Sequence, residues 1–142
     1  MSQEIEYKLQ RGGVTPTSVR VLVYKVLDSS DIPVSLSDIE IALDTVDKST
    51  ISRTLSTFKE NHLVHSINDG SGSVKYELCR SHGLAMHDDL HVHFRCLECG
   101  TTSCLTNIRI PEIELPAGYE MREKSFVVTG ICALCNKKKK DE

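Results

Sequence analysis

Four of the six cysteines in this 142-residue chain stand in two identical turns, Cys96-Leu-Glu-Cys99 and Cys132-Ala-Leu-Cys135. Four thiolates on two such turns can close a tetrahedron around one Zn²⁺, at about 2.3 Å per Zn–S bond. The stretch between the pairs is longer than in a zinc ribbon, so a small subdomain must lie between them. Just upstream, His91 and His93 stand two apart in the alternating run HVHFRC. If that run is a strand, both imidazoles point to one face while Val92, Phe94 and Cys96 point to the other. The histidines and the thiolates therefore serve different metals. One site is closed by its own four ligands, and the other still needs partners.

Blander readings stand beside these. A single Cys-x-x-Cys in a cytosolic chain can be a redox couple, but two pairs with the same spacing favour structural zinc. A His-x-His on a strand is more often solvated or hydrogen-bonded than a ligand, and only its neighbours shift that balance. Cys104 has no partner at a useful spacing and is expected in the core. His62 reads as a helix-end residue without a metal role.

These ligands must be positioned by elements that the sequence also marks. Residues 1–13 are polar and end in Gly12-Gly13, a flexible lead or a short helix followed by a break. Thr15-Pro16 predicts an N-cap with proline at the first helical position. Val19, Leu22, Val23, Val26 and Leu27 follow at helical spacing, so a helix is expected to about Ser29. The run Ser35-Leu-Ser-Asp38 has the form of a capping box and predicts a second helix with Ile39, Ala42 and Leu43 inward. A turn over 44–47 leads to a third helix, roughly Lys48 to Asn61. There Ile51, Leu55 and Phe58 form an apolar stripe, and Ser49, Arg53 and Ser56 fall on the opposite side. A face of small polar residues with one arginine suits close approach to a DNA groove, although it also fits an ordinary solvated face.

A hairpin is expected next, from Leu63 to Asn68, a turn over 69–72, and Val74 to Cys79. Three helices and a two-stranded wing make the winged helix-turn-helix plan. Residues 80–90 have no clear period and read as a linker. The His91 strand opens a second domain, with Thr102 to Thr106 as its next strand and Pro111 and Pro116 bracketing an irregular connection. Tyr119 to Ile131 supplies one long or two short strands that deliver Cys132. The expected division is thus 1–79 for the DNA-binding domain, 80–90 for the linker and 91–142 for a small α/β dimerisation and metal-binding domain, an α+β protein overall.

Composition sets the outer bounds. Hydrophobic residues make up 39% of the chain, enough for one domain or two small ones. No long apolar segment and no signal-peptide pattern occur, so a cytoplasmic protein without membrane contact is expected. The six cysteines then serve metals better than disulfides. A net charge of −3 gives no overall pull toward nucleic acid, so DNA binding must rest on a local face. The lysines at 137–140 read as a solvated, frayed tail.

The winged-helix pattern followed by HVHFRCLECG and CALC resembles the ferric uptake regulator (Fur) superfamily of metal-sensing repressors, over about residues 14 to 136. The resemblance implies a homodimer that binds AT-rich inverted repeats of double-stranded DNA when its sensing site is metallated. It implies structural Zn²⁺ on Cys96, Cys99, Cys132 and Cys135. It also places Arg53 on the recognition helix and Arg20 on the first long helix. With Ser49, Thr50 and Ser52 these form the expected DNA-contacting set. Many members carry tyrosine where this chain has Ser52, so the base preference need not be the usual one.

The sensing site distinguishes the subfamilies. Iron-sensing members usually add a histidine before the second DNA-domain helix, where this chain has Pro33, although Glu77, His91 and His93 match their remaining ligands. Peroxide sensors are expected to need the same histidine. Zinc-sensing members resemble the chain better, and their ligand positions correspond to His65, Cys79, His91 and His93. One thiolate with three imidazoles suits Zn²⁺. A second, regulatory Zn²⁺ is therefore expected, with Fe²⁺ or Mn²⁺ as alternatives, and Glu77, His82 or His87 could replace His65. A further metal site seen in many members falls on Leu90, Val92 and Lys124 here and is not expected.

Two other classes share some of these residues. A zinc deaminase needs the glutamate of H-x-E and a P-C-x-x-C, whereas this chain has H-V-H and R-C-L-E-C. A thiol redox switch would use the same zinc cysteines and lose its metal on oxidation. The function expected from the sequence is a metal-dependent, non-enzymatic repressor that senses zinc and controls metal-uptake genes.

Overall fold

Two compact units, residues 1–87 and 88–142, divide the chain in the computed structural model. The structure describes residues 2–79, 91–122 and 124–140. The expected linker at 80–90, with His82 and His87, lies outside the described residues.

In the first unit, helix α1 (Ser2–Arg11) turns Ile5 and Leu9 inward, which settles the leading segment as a helix. Gly12 ends it where the chain crosses Leu63, and a β-carbon at residue 12 would stand 2.6 Å from Leu63 Cδ2. Helix α2 (Ser18–Ser29) starts later than the Thr15-Pro16 signal suggests. Its N-cap is Thr17, whose hydroxyl accepts from the Arg20 N–H at 3.2 Å. Thr15 and Thr17 both carry the cap signal, and it is Thr17 that takes the extended cap backbone, at φ −133° and ψ 165°.

Ser35 and Asp38 make the expected capping box. Ser35 Oγ accepts from the Asp38 N–H at 3.1 Å, and Asp38 Oδ2 accepts from the Ser35 N–H at 2.9 Å. It opens α3 (Leu36–Ala42). Helix α4 (Lys48–Glu60) buries Ile51, Leu55 and Phe58 as its stripe predicts, together with Thr54, whose hydroxyl bonds back to the Thr50 carbonyl. The helix ends with His62 in the left-handed region at φ +60°. There the Leu63 N–H reaches the Phe58 carbonyl at 2.8 Å and the His62 N–H the Lys59 carbonyl at 3.1 Å, a Schellman closure.

The wing is a three-stranded sheet rather than a two-stranded one. Strands β2 (Val64–Asn68) and β3 (Val74–Leu78) pair antiparallel, and β1 (Val34–Ser35) adds to the outer side of β3. Two residues are too short to show a period, so β1 left no pattern to read. At the wing tip Lys75 Nζ sits 3.3 Å from the buried Asp69 carboxylate and also donates to Ser71 Oγ. Val23, Leu27, Ile39, Ile51, Leu55, Phe58, Val64 and Leu78 share one core with α1.

The second unit is a sheet ordered β5-β4-β6. Central β4 (His91–Cys96) pairs antiparallel with β5 (Thr102–Arg109) and parallel with β6 (Val127–Gly130). Strand β5 runs three residues beyond the expected Thr106. Among the described residues of the segment expected to carry strands, Tyr119 to Ile131, only β6 is regular. The lysine run corrects a second expectation. It continues helix α5 (Ala133–Lys140), because straight-chain lysines favour a helix once Cys132 has nucleated it. No described helix is long and apolar enough to cross a membrane.

Candidate functional site

Cys96 ends β4 and is fully buried, and Gly100, at φ +74°, closes the turn that returns Cys99 toward it. Beyond β6 the chain reaches Cys132 and enters α5, whose first turn carries Cys135. The sulfurs of Cys96, Cys99, Cys132 and Cys135 lie within 4.8 Å of one another, with Cys99 and Cys132 at 4.0 Å. A tetrahedral Zn–S₄ centre needs sulfurs about 3.8 Å apart, so small adjustments close it.

The backbone around these thiols is arranged for anions. Cys96 Sγ accepts from the Cys99 N–H at 3.5 Å and the Cys132 N–H at 3.3 Å, which hold its pKa down to about 6. Cys99 is lowered chiefly by the Thr101 side chain. Cys135 moves the other way and is pushed up to about 12, first by its thiol partner Cys132. Four thiols this close cannot all ionise against one another, whereas a divalent cation among them makes all four thiolates favourable. This is a structural zinc site. Its four protein ligands leave no open position for substrate or water.

The other expected ligands fall into two groups, one in each unit. On the wing, His65 of β2 stands directly opposite Glu77 of β3, and Cys79 follows two residues after Glu77. Residues directly opposite on paired strands share a face, so His65 and Glu77 lie on one side of the wing sheet, and Cys79 follows just past the end of β3. All three are half-buried, and the Cys79 N–H is fixed by the Leu63 carbonyl at 2.7 Å. In the second unit His91 and His93 lie two apart on β4, with a bulge between His91 and Val92. His93 is buried and faces Cys104 on β5, their ligand atoms within 4.8 Å. Cys104 was expected as plain core, and its pairing could not be read from spacing because it depends on strand register. The alternation of HVHFRC into β4, set against TTSCLT as the next strand, was the signal available.

The surface of α4 presents Ser49, Ser52, Arg53 and Ser56 to solvent, with Thr50 half-buried beside them. Asp47, the N-cap, accepts hydrogen bonds from the hydroxyls of Ser49 and Thr50, which lower its pKa. Arg53 Nη2 donates to Thr50 Oγ1 at 3.4 Å. Asp47 had not been singled out from the sequence, where it reads only as a turn residue. Arg20 is half-buried, and its guanidinium donates to the Thr15 carbonyl at 2.8 Å.

A winged helix-turn-helix joined to a small sheet unit with a four-thiolate zinc and histidine–thiol donors defines a metal-responsive regulator. The ferric uptake regulator family model matches residues 11–131, and the chain belongs to that family. The ferric uptake regulation protein of Campylobacter jejuni is 28% identical, over 92% of this chain and 85% of that protein. Among solved structures, a zinc uptake regulator complexed with zinc and DNA superposes with a TM-score of 0.68, at 20% identity, over 98% of this chain and 95% of that one. The ferric uptake regulator of Pseudomonas aeruginosa with manganese gives 0.61 at 22% identity, over 90% and 97%. Both likenesses are in the fold. With its structural zinc, a member of this family carries a regulatory metal as well.

Proposed function

We propose that this chain is a zinc-responsive transcriptional repressor that binds operator DNA as a homodimer in the cytoplasm and controls metal-uptake genes. It is a regulator and not an enzyme. The observation that carries the zinc reading is the pairing of His93 with the Cys104 thiol on the neighbouring strand. A thiol beside an imidazole favours zinc over the harder Fe²⁺ and Mn²⁺. The regulatory ion takes His65, Cys79, His91 and His93, with Cys104 available as a further thiolate. The domain boundaries expected from the sequence, 1–79 and 91–142, then separate the DNA reader from the dimerising unit.

Two features support the remaining parts. Ser49, Thr50, Ser52 and Arg53 cluster at the N-terminal half of α4, where recognition helices meet base edges, and Arg20 serves as a phosphate or minor-groove contact. In the second unit Leu97, Ile108, Leu115, Tyr119, Val128 and Leu134 are exposed, and β5 is an edge strand. Exposed apolar groups beside an open edge suit an isologous interface between two copies. An AT-rich inverted repeat is the operator that such a symmetric reader would take.

Glu77, directly across from His65, favours a second reading in which an oxygen donor completes a site for Fe²⁺ or Mn²⁺. One experiment separates the two. Metal content of the purified protein is measured beside DNA binding titrated with Zn²⁺, Fe²⁺ and Mn²⁺. Activation by zinc at the lowest free concentration, with a second zinc bound per chain, is expected. Activation by iron or manganese at one metal per site, with zinc ineffective, would overturn the zinc reading.

A further inference from the structure

Both carboxylate oxygens of Asp47 are taken up by hydroxyls at the start of α4. Oδ2 accepts from Ser49 Oγ and Oδ1 accepts from Thr50 Oγ1. A hydroxyl has one proton and two lone pairs, so each oxygen that has given its proton to Asp47 is left as an acceptor. Thr50 uses that capacity on Arg53, whose Nη2 lies 3.4 Å away. This is a long bond, which biases the guanidinium without trapping it. Ser49 is exposed, so its remaining acceptor capacity is open to a partner from solution. Asp47 is the N-cap, Ser49, Thr50 and Arg53 lie within the first two turns of the helix, and Asp47, Ser49 and Arg53 are exposed.

We infer that Asp47 is a positioning residue that fixes the hydrogen-bonding polarity of the DNA-reading surface, making Ser49 an obligate acceptor and holding Arg53 through Thr50. This rests on the reading of α4 as the recognition helix. In the major groove only adenine N6 and cytosine N4 donate, whereas guanine N7 and O6 and thymine O4 accept. The base opposite Ser49 must therefore be adenine or cytosine. Arg53, which only donates, reads an acceptor edge such as guanine O6 and N7 nearby. The carboxylate contributes by setting the proton direction of its neighbours, without itself touching a base.

The test uses the full-length, zinc-loaded protein and duplexes that it recovers from a pool with a randomised central segment. Asp47→Asn keeps a residue of equal N-capping strength, so the helix start is preserved. The amide can accept from one hydroxyl but donates to the other, which reverses that hydroxyl's proton. This variant is expected to bind the recovered duplex about tenfold more weakly. In its own selection it should tolerate guanine or thymine where the wild type takes adenine or cytosine. Ser49→Ala should lose the same preference at the same position, with zinc content and melting unchanged. In an Arg53→Ala background, the part of the Asp47→Asn effect that runs through Thr50 should disappear. Unchanged base profiles for both Asp47→Asn and Ser49→Ala would overturn the inference. Arg53→Ala separates that failure from a deeper one. Binding of Arg53→Ala at full strength, or no sequence enriched by the wild type, would remove α4 as the reader and the inference with it.

Discussion

The two units of this chain are held together by different means. The first closes around Leu9, Val23, Ile39, Ile51, Leu55 and Phe58, all at or near zero exposure, drawn from four helices and continued into the wing by Val64 and Leu78. In the second, the buried residues among those described are Val92, His93, Cys96 and Thr102, two of which are metal-ligand types. Its large apolar side chains, Leu97, Tyr119 and Leu134 among them, are mostly at the surface. Burial at about 25 cal/mol per Å² can carry the first unit, whereas the second buries little apolar surface among its described residues and draws on its metal. Stability in the first unit is thus intrinsic, and in the second it is conditional.

The sharpest break in that contrast comes from the zinc. Cys96 is the fully buried member of the cluster and accepts from the N–H of Cys99 in its own knuckle and of Cys132 in the other, so Cys96→Ser removes the ligand that joins the two. Binding energy at such a site is folding energy, on the order of 10 kcal/mol in small zinc peptides. The variant should lose zinc, order in the second unit and dimerisation, while amides in α2 and α4 keep their exchange protection. Because Cys135 stands near 12 without metal, ligation must release its proton, so zinc affinity should rise with pH and zinc should be lost on acidification. A dimeric, zinc-free Cys96→Ser protein would show that the second unit has a core of its own.

Phe58→Ala tests the other side. Phe58 is fully buried and packs edge-on against Tyr24, with ring centroids 6.4 Å apart. The loss should be about 3–5 kcal/mol, read as a lower denaturation midpoint of the winged unit. Zinc content and oligomeric state should stay as in the wild type. Loss of zinc on this substitution would mean that the two units do not keep separate accounts of stability.

A variant at the proposed regulatory site should lower the stability of neither unit. His65→Ala is expected to remove the zinc dependence of DNA binding, a coupling of about 1–3 kcal/mol, and to leave the four-thiolate zinc in place. The readout is zinc per chain beside operator affinity with and without added zinc. A wild-type zinc response would shift the ligand to Glu77, the residue across the strand from it.

The legible parts of the molecule were those written in local pattern. The Ser35–Asp38 box, the α4 stripe, the Asp69–Gly72 turn and the two Cys-x-x-Cys knuckles depend on residues a few positions apart, and each stands where its pattern placed it. What escaped depends on register between distant segments or on competition among neighbours. Strand β1 exists only because Val34 and Ser35 meet Tyr76 and Lys75. Cys104 acquires meaning only when β5 sets it against His93. The helix start moved from Thr15 to Thr17 because two threonines flank one proline and both satisfy the cap signal. The charge of the lysine run masks its helical tendency, and its helix follows from the zinc knuckle before it.

The smallest expected effect lies at His62. It holds φ +60° at the position after the α4 cap, where the Schellman closure demands a left-handed residue. A β-carbon there is strained by roughly 1–2 kcal/mol, and glycine removes that strain at some cost in unfolded-chain entropy. His62→Gly should therefore stabilise the winged unit by about 0.5–1 kcal/mol, seen as a small rise in its denaturation midpoint. The second unit's zinc-dependent transition should not move, because nothing in that unit's zinc knuckles depends on this turn. Zinc per chain should also be unchanged, as expected of a helix-end histidine with no metal role. A loss of bound zinc in this variant would make His62 a ligand and would place a metal at the junction of α4 and the wing. A loss of stability without loss of zinc would show that the imidazole's own interactions outweigh the backbone strain.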